Sequence, residues 1–120
     1  MIARTAALLL ATMLAACGEP TPIEKAPAGD VDRGRVLLRQ YGCGTCHRIP
    51  GVAAADGDVG PPLDRIARQV YLAGTLPNSP ANMALFIRAP QSIKPQTAMP
   101  DLKVGEAHAR DMVAYLYALP

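Results

Sequence analysis

Cys43, Cys46 and His47 stand together in the run Cys43-Gly44-Thr45-Cys46-His47. Two thiols at this spacing, followed at once by an imidazole, form the run that attaches a c-type haem. The thiols add across two vinyl groups and become thioethers, and one turn of chain spans two adjacent edges of the macrocycle. The next residue then falls beneath the iron, where its imidazole serves as the proximal ligand. A bare Cys-x-x-Cys also occurs as half a zinc site, as a redox dithiol or as a disulfide. A zinc site needs two further ligands, and of the Cys and His residues only Cys17 and His108 remain. A thioredoxin-type dithiol needs a βαβ setting, which this sequence does not offer. The immediately following His favours haem.

A six-coordinate iron needs a second axial ligand. Thr97-Ala98-Met99-Pro100 lies in a stretch, 89–100, that holds Pro90, Pro95 and Pro100. The Met99 thioether can be that ligand; ordinary loop packing is the alternative. Met83 and Met112 fall on helical stretches and read as core fillers. His108 falls in the first turn of the last helix, opposite its apolar stripe, and reads as solvated. A ligating His normally donates its second ring nitrogen to an acceptor that fixes the ring. The carbonyl of Pro61, in Gly60-Pro61-Pro62-Leu63, is a natural acceptor, and the two prolines also suit a turn and helix start.

Four elements are expected to position these groups. Val31 to Tyr41 has a helical pattern with Val36 and Leu37 or Leu38 on one side, and Asp30 or Asp32 can cap it. Gly34 lies inside this helix, where Gly costs roughly 1 kcal/mol relative to Ala; its presence suggests that another element approaches the backbone closely. Gly42 ends the helix. A short helix is expected at about Leu63 to Arg68. Ser79-Pro80 opens a third helix, with Ser as N-cap and Pro at the first helical position. Its apolar face is Met83, Phe86 and Ile87, and Pro90 stops it. The stretch from Ala89 to Pro100 reads as loop. Gly105 to Leu119 is the last helix: Gly105 at the N-cap, Glu106 at the positive end, a stripe of Met112, Val113, Leu116 and Leu119, and Tyr115 and Tyr117 flanking it.

Composition agrees with a cofactor in the core. The chain has 120 residues, only 4% aromatic, with no Trp and one Phe. A domain this small with so few large side chains buries little apolar area by itself, and a haem supplies what is missing. The net charge of +2, with no basic run, argues against a nucleic-acid partner.

Residues 1–16 carry one positive charge, Arg4, and then the apolar run Ala6 to Ala16. The run is too short to span a bilayer as a stable helix and has the form of an export signal. Leu14-Ala15-Ala16-Cys17 resembles a bacterial lipobox. That resemblance implies a lipidated Cys17 as the mature N-terminus, on the periplasmic side of a bacterial membrane. It also accounts for the one Cys left over by the haem motif. Residues 18–29, rich in proline, read as a tether with a reach of roughly 35 Å. The folded domain is expected to occupy 30–120.

The stretch Asp30 to Pro120 resembles the class I, mono-haem cytochromes c. The matching parts are the first helix, Cys43 to His47, Gly60-Pro61, Met99-Pro100 and a closing helix with Ala114-Tyr115-Leu116. The resemblance implies an all-α fold in which the N- and C-terminal helices cross and one to three short helices surround one covalently bound haem c. It also implies axial ligation by His47 and Met99 from opposite faces, and a helix crossing at Gly34 with Tyr115 close by. A narrower similarity runs through Ala73 to Asn82, Phe86 to Gln91 and Lys94-Pro95, which look like the cytochrome c domain fused to subunit II of caa3-type cytochrome c oxidases. The transmembrane helices and copper domain of that subunit have no counterpart in this sequence, so the expectation is its haem domain detached and given a lipid anchor.

The expected function is single-electron transfer in a respiratory chain rather than catalysis. The expected partners are an upstream cytochrome reductase and a terminal oxidase, with Arg48 and Lys94 as possible docking charges. The competing expectation is a five-coordinate haem, with Met99 displaced, acting as a peroxidase or gas sensor; no distal His or Arg pair supports it. A third is a structural lipoprotein that merely carries haem.

Overall fold

Asp30 has extended backbone, and its side chain accepts the Arg33 N–H at 2.9 Å, so the chain enters helix at Val31. The structure, a computed structural model, describes residues 28–120. The expected export signal, Cys17 and nearly all of the tether lie outside the described residues. Helix α1 spans Val31–Gln40. Gly42 follows its C-cap in the left-handed region (φ 72°), a conformation glycine adopts without a steric cost. A single 3-10 turn, Cys43–Thr45, comes next. A second, Ile66–Arg68, precedes a small antiparallel hairpin of β1 (Tyr71–Leu72) and β2 (Leu76–Pro77). Helix α2 spans Pro80–Arg88, the one-turn α3 spans Pro90–Ile93, and α4 spans Glu106–Ala118. Apart from the hairpin the described elements are helical, as the resemblance to the class I cytochromes c implies.

The first and last helices cross at Gly34. A Cβ there would stand 2.6 Å from the backbone carbonyl carbon of Asp111, with the carbonyl oxygen nearer still, so the two backbones touch. Gly34, Leu37 and Leu38 form the buried face of α1. Val36 was expected beside them but is 45% exposed. It lies two residues from Gly34 and therefore about 200° around the helix. On α4 the buried face is wider than the expected stripe: Ala109, Asp111, Ala114 and Tyr115 are buried along with Met112, Val113 and Leu116.

Asp111 is the one buried charged residue among those described. One carboxylate oxygen accepts the Asp30 N–H at 2.8 Å; the other accepts Arg33 Nε at 2.6 Å and lies 2.5 Å from its Nη2. These contacts fasten the start of α1 to α4. Packing already begins at Gly29, where a Cβ would meet the Arg110 carbonyl at 2.7 Å. The tyrosines of α4 fasten two further segments. Tyr115 donates to the Pro50 carbonyl at 2.6 Å, in the loop after the Cys-x-x-Cys-His run. Tyr117 donates to Asn78 Oδ1 at 3.0 Å, and Asn78 Nδ2 in turn donates to the Ile66 and Gln69 carbonyls.

Three local expectations change. The helix expected over Leu63 to Arg68 shortens to the 3-10 turn: the Ile66, Arg68 and Gln69 N–H groups each reach back three residues, to the Leu63, Arg65 and Ile66 carbonyls, rather than four. The hairpin was not anticipated; its turn uses Ala73 (φ 50°) and Gly74 (φ 73°) rather than an Asn-Gly pair. Pro90 ends α2 but also starts α3 at its first position, inside the stretch read as loop. No helix among the described residues is long and apolar enough to cross a membrane.

The Asp111 carboxyl is held below its ordinary pKa of 3.8, first by the Asp30 N–H and then, against the opposing effect of burial, by Arg33 and the charge of His108. Its ionised form therefore adds stability that is complete above the ordinary value and is lost as pH falls through the lowered one. Asp111→Asn is expected to cost about 1–2 kcal/mol at neutral pH, the low end for a charged hydrogen-bonded group because the Arg33 side chain is 57% exposed. Denaturant unfolding between pH 7 and 2 should show a shallower acid loss in the variant; identical profiles would contradict the role given to this carboxylate.

Candidate functional site

The Cys43–Thr45 turn brings both thiols and the imidazole into one place. The Cys46 and His47 N–H groups both reach back to the Cys43 carbonyl, at 3.3 and 3.0 Å. Gly44 is buried in this turn because the loop that follows packs on it: a Cβ there would stand 2.6 Å from Ala55 Cα. The Cys-x-x-Cys-His spacing carries no sign of this contact. Both thiols are free and half-buried. Burial pushes the Cys43 thiol up from its ordinary pKa; its backbone hydrogen bond opposes this and the neighbouring Cys46 adds to it. A redox dithiol needs the opposite displacement, toward thiolate.

His47 Nδ1 lies 2.7 Å from the Pro61 carbonyl oxygen. A carbonyl only accepts, so Nδ1 carries the proton, and in the neutral ring Nε2 is left with a free lone pair. Gly60 makes this orientation possible. Its N–H donates to the Cys46 carbonyl at 2.7 Å, and a Cβ on it would strike the imidazole, standing 2.7 Å from Nδ1 and closer to Cε1. The sequence reading counted Gly60 as part of a motif and missed this contact; the missing signal was the fold of residues 48–59 that brings it under the ring.

Cys43, Cys46, His47 and Met99 all line one cavity of about 360 Å³. That is within the roughly 300–1,000 Å³ of small-molecule and cofactor sites. The walls are mostly aliphatic and come from three of the helices: Leu38 of α1, Phe86 and Ile87 of α2, Leu116 of α4, with Leu72 of β1 and Val104 between. Met83 and Met112 are buried at 3% and 0% exposure and also face this space, so they are both core and wall. Met99 is half-buried. Lys94 stands on the rim and reaches the Ala73 carbonyl at 3.4 Å.

The other singled-out residues lie elsewhere. His108 is exposed, outside the cavity lining, and 2.9 Å from the Tyr41 hydroxyl. Arg48 is exposed and pairs through its backbone with Asp56. Gly34 and Tyr115 belong to the α1–α4 crossing and its link to the loop. Cys17 falls outside the described residues.

A haem fits this donor set. Two thiols one turn apart, an imidazole with Nε2 unprotonated and a thioether share a space whose walls suit a flat apolar macrocycle. No group of three or more His, Cys, Asp or Glu that could hold a metal ion by themselves occurs among the described residues, so the zinc reading finds no support there.

Comparison with known proteins agrees. The family model for cytochrome c matches residues 31–120, three quarters of the chain. The chain is also 28% identical, over 103 residues, to cytochrome c oxidase subunit 2 of Alkalihalophilus pseudofirmus (strain ATCC BAA-2126 / JCM 17055 / OF4). That match covers 85% of this chain and 29% of the relative, so the chain spans less than a third of that protein's length.

Gly60→Ala tests the seat of the imidazole. The added methyl has no room against the ring, and the haem-loaded protein is expected to lose about 1–3 kcal/mol of stability and to show an altered haem absorption spectrum. A variant with wild-type stability and spectrum would mean that the ring does not need this glycine.

Proposed function

The chain belongs to the cytochrome c family, it carries one covalently attached haem c, and on that premise we propose that it is a membrane-tethered carrier of single electrons in a respiratory chain. The observation that carries this reading is the sharing of one apolar cavity by Cys43, Cys46, His47 and Met99. When bound, the haem supplies a reversible one-electron couple at its iron.

The chain's own residues do the rest. Cys43 and Cys46 would hold the macrocycle by thioethers. Pro61 keeps the His47 proton on Nδ1, which frees Nε2 as the proximal donor. Met99 would fill the sixth position. With His47 and Met99 both holding the iron, a bound haem would offer small substrates no open site, and the Met99 thioether would favour a high potential. The aliphatic walls exclude water and lower the local dielectric around the cofactor.

The finer parts of the reading rest on different supports. The likeness to an oxidase subunit supports a terminal oxidase as electron acceptor, with a cytochrome reductase upstream; the match covers 29% of that relative. The lipobox-like Leu14 to Cys17 supports export and a lipid anchor, with residues 18–29 as tether. Several acyl chains on Cys17 would hold the protein at the membrane, at about 0.8 kcal/mol per buried methylene.

Met99→Ala is expected to convert a low-spin ferric spectrum to a high-spin one and to abolish the weak near-infrared sulfur-to-iron band; an unchanged spectrum would place the sixth ligand elsewhere and reopen the five-coordinate or alternative-ligand readings. Cys17→Ala is expected to move the haem-loaded protein from the membrane fraction to the soluble fraction, and retention at the membrane would reject the anchor.

A further inference from the structure

Met99 is not held by burial. Met83 and Met112 are almost wholly enclosed, whereas Met99 is half-exposed in a proline-rich segment. Its backbone is held instead. The Met99 N–H donates to Thr97 Oγ1 at 3.2 Å, and the Met99 carbonyl accepts from Gln91 Nε2 at 2.8 Å. Both polar backbone groups of Met99 are thereby used. The Gln91 bond crosses eight residues and closes the segment on itself. Inside it, the Lys94 N–H returns to Pro90 and the Thr97 N–H to Lys94, each at 2.9 Å. On the far side Pro100 has a fixed φ and no N–H. The segment is thus a ring of short-range bonds, started by Pro90 and latched at its other end by one side-chain amide.

We propose that Gln91 is a positioning residue that latches the Met99 segment and thereby sets how often the methionine leaves the iron. This rests on the reading of Met99 as the sixth ligand. Gln91 sits in the one-turn helix α3 and is exposed, so its side chain does no core packing that a substitution would disturb. Among the described residues its side chain makes one hydrogen bond, the one to Met99. A net hydrogen bond of ordinary strength shifts such an open–closed equilibrium by about two- to tenfold. That is small against global stability and large for ligand exchange. The apparent affinity of any outside ligand for the iron scales with the fraction of time that the sixth position is open. The latch therefore separates a carrier that keeps its ligand from one that admits small molecules.

Imidazole titration of the full-length, haem-loaded ferric protein reads this fraction. Gln91→Ala, and Gln91→Glu, whose carboxylate cannot donate, are expected to bind imidazole about two- to tenfold more tightly than wild type. Gln91→Lys restores an N–H donor and should return the affinity towards wild type, and denaturant midpoints should change little in all three. Equal affinity across wild type, Ala and Glu, or a rise in Gln91→Lys as large as in Gln91→Ala, would overturn the proposal. The near-infrared sulfur-to-iron band separates the two levels of failure. Its absence from wild type removes Met99 as ligand and the latch with it. Its presence in wild type, with imidazole affinity indifferent to Gln91, removes the latch alone.

Discussion

The rest of the structure depends on two backbones touching. Gly34 lets α1 and α4 cross with no side chain between them, so that the peptide of Asp111 lies where a Cβ would stand. At that distance the buried faces of the two helices meet on both sides of the contact, with Leu37 and Leu38 from one and Met112, Val113 and Leu116 from the other. Asp111 then seals the edge, joining Asp30 and Arg33 to a residue about 80 positions later in the chain. A crossing of this kind closes the chain early and late in sequence and leaves everything between to be arranged around it.

What lies between is organised as walls. The Cys-x-x-Cys-His turn leaves the end of α1 directly, so the crossing also places the thiols. Tyr115 and Tyr117 extend from α4 to the loop at Pro50 and to the hairpin region through Asn78. A chain with one Phe and no Trp cannot fill the space so enclosed. The cavity and the poverty of aromatics have one cause: the core of this domain is completed by the cofactor. Burial of the macrocycle against aliphatic walls, at roughly 25 cal/mol per Å² of apolar area removed from water, then contributes to folding as well as to electron transfer.

Features set by neighbours in sequence were legible; those set by distant partners were not. The Asp30 cap, the Ser79-Pro80 start and the Gly105 N-cap each depend on a few adjacent residues, and the Cys-x-x-Cys-His run carries its chemistry within five positions. Asp111 carries no local signal in the sequence, because both of its partners lie about 80 residues upstream. Val36 reads as core because it is apolar and follows the helical period only approximately. The side of α1 that is buried was decided by Gly34, whose meaning becomes specific only when α4 is laid against it. Gly60 shows the same limit: its need to be small is a fact about the His47 ring. The hairpin has two-residue strands and no Asn-Gly turn, so it leaves almost no periodic signal, and α3 is a single turn within a stretch that three prolines mark as irregular. The Gln91 bond to Met99 spans eight residues of that stretch and could not be foreseen from composition.

On the proposed reading this chain holds one haem with both axial positions taken by its own His47 and Met99, and so moves one electron at a time. A potentiometric titration of the purified full-length protein, followed by its absorption spectrum, tests this most directly. The expected result is a reversible transition with a one-electron slope, low-spin spectra at both ends and a potential on the positive side, as a His/Met haem gives. A high-spin ferric end state, or a reduced form that takes up carbon monoxide as fast as an open five-coordinate haem, would contradict it.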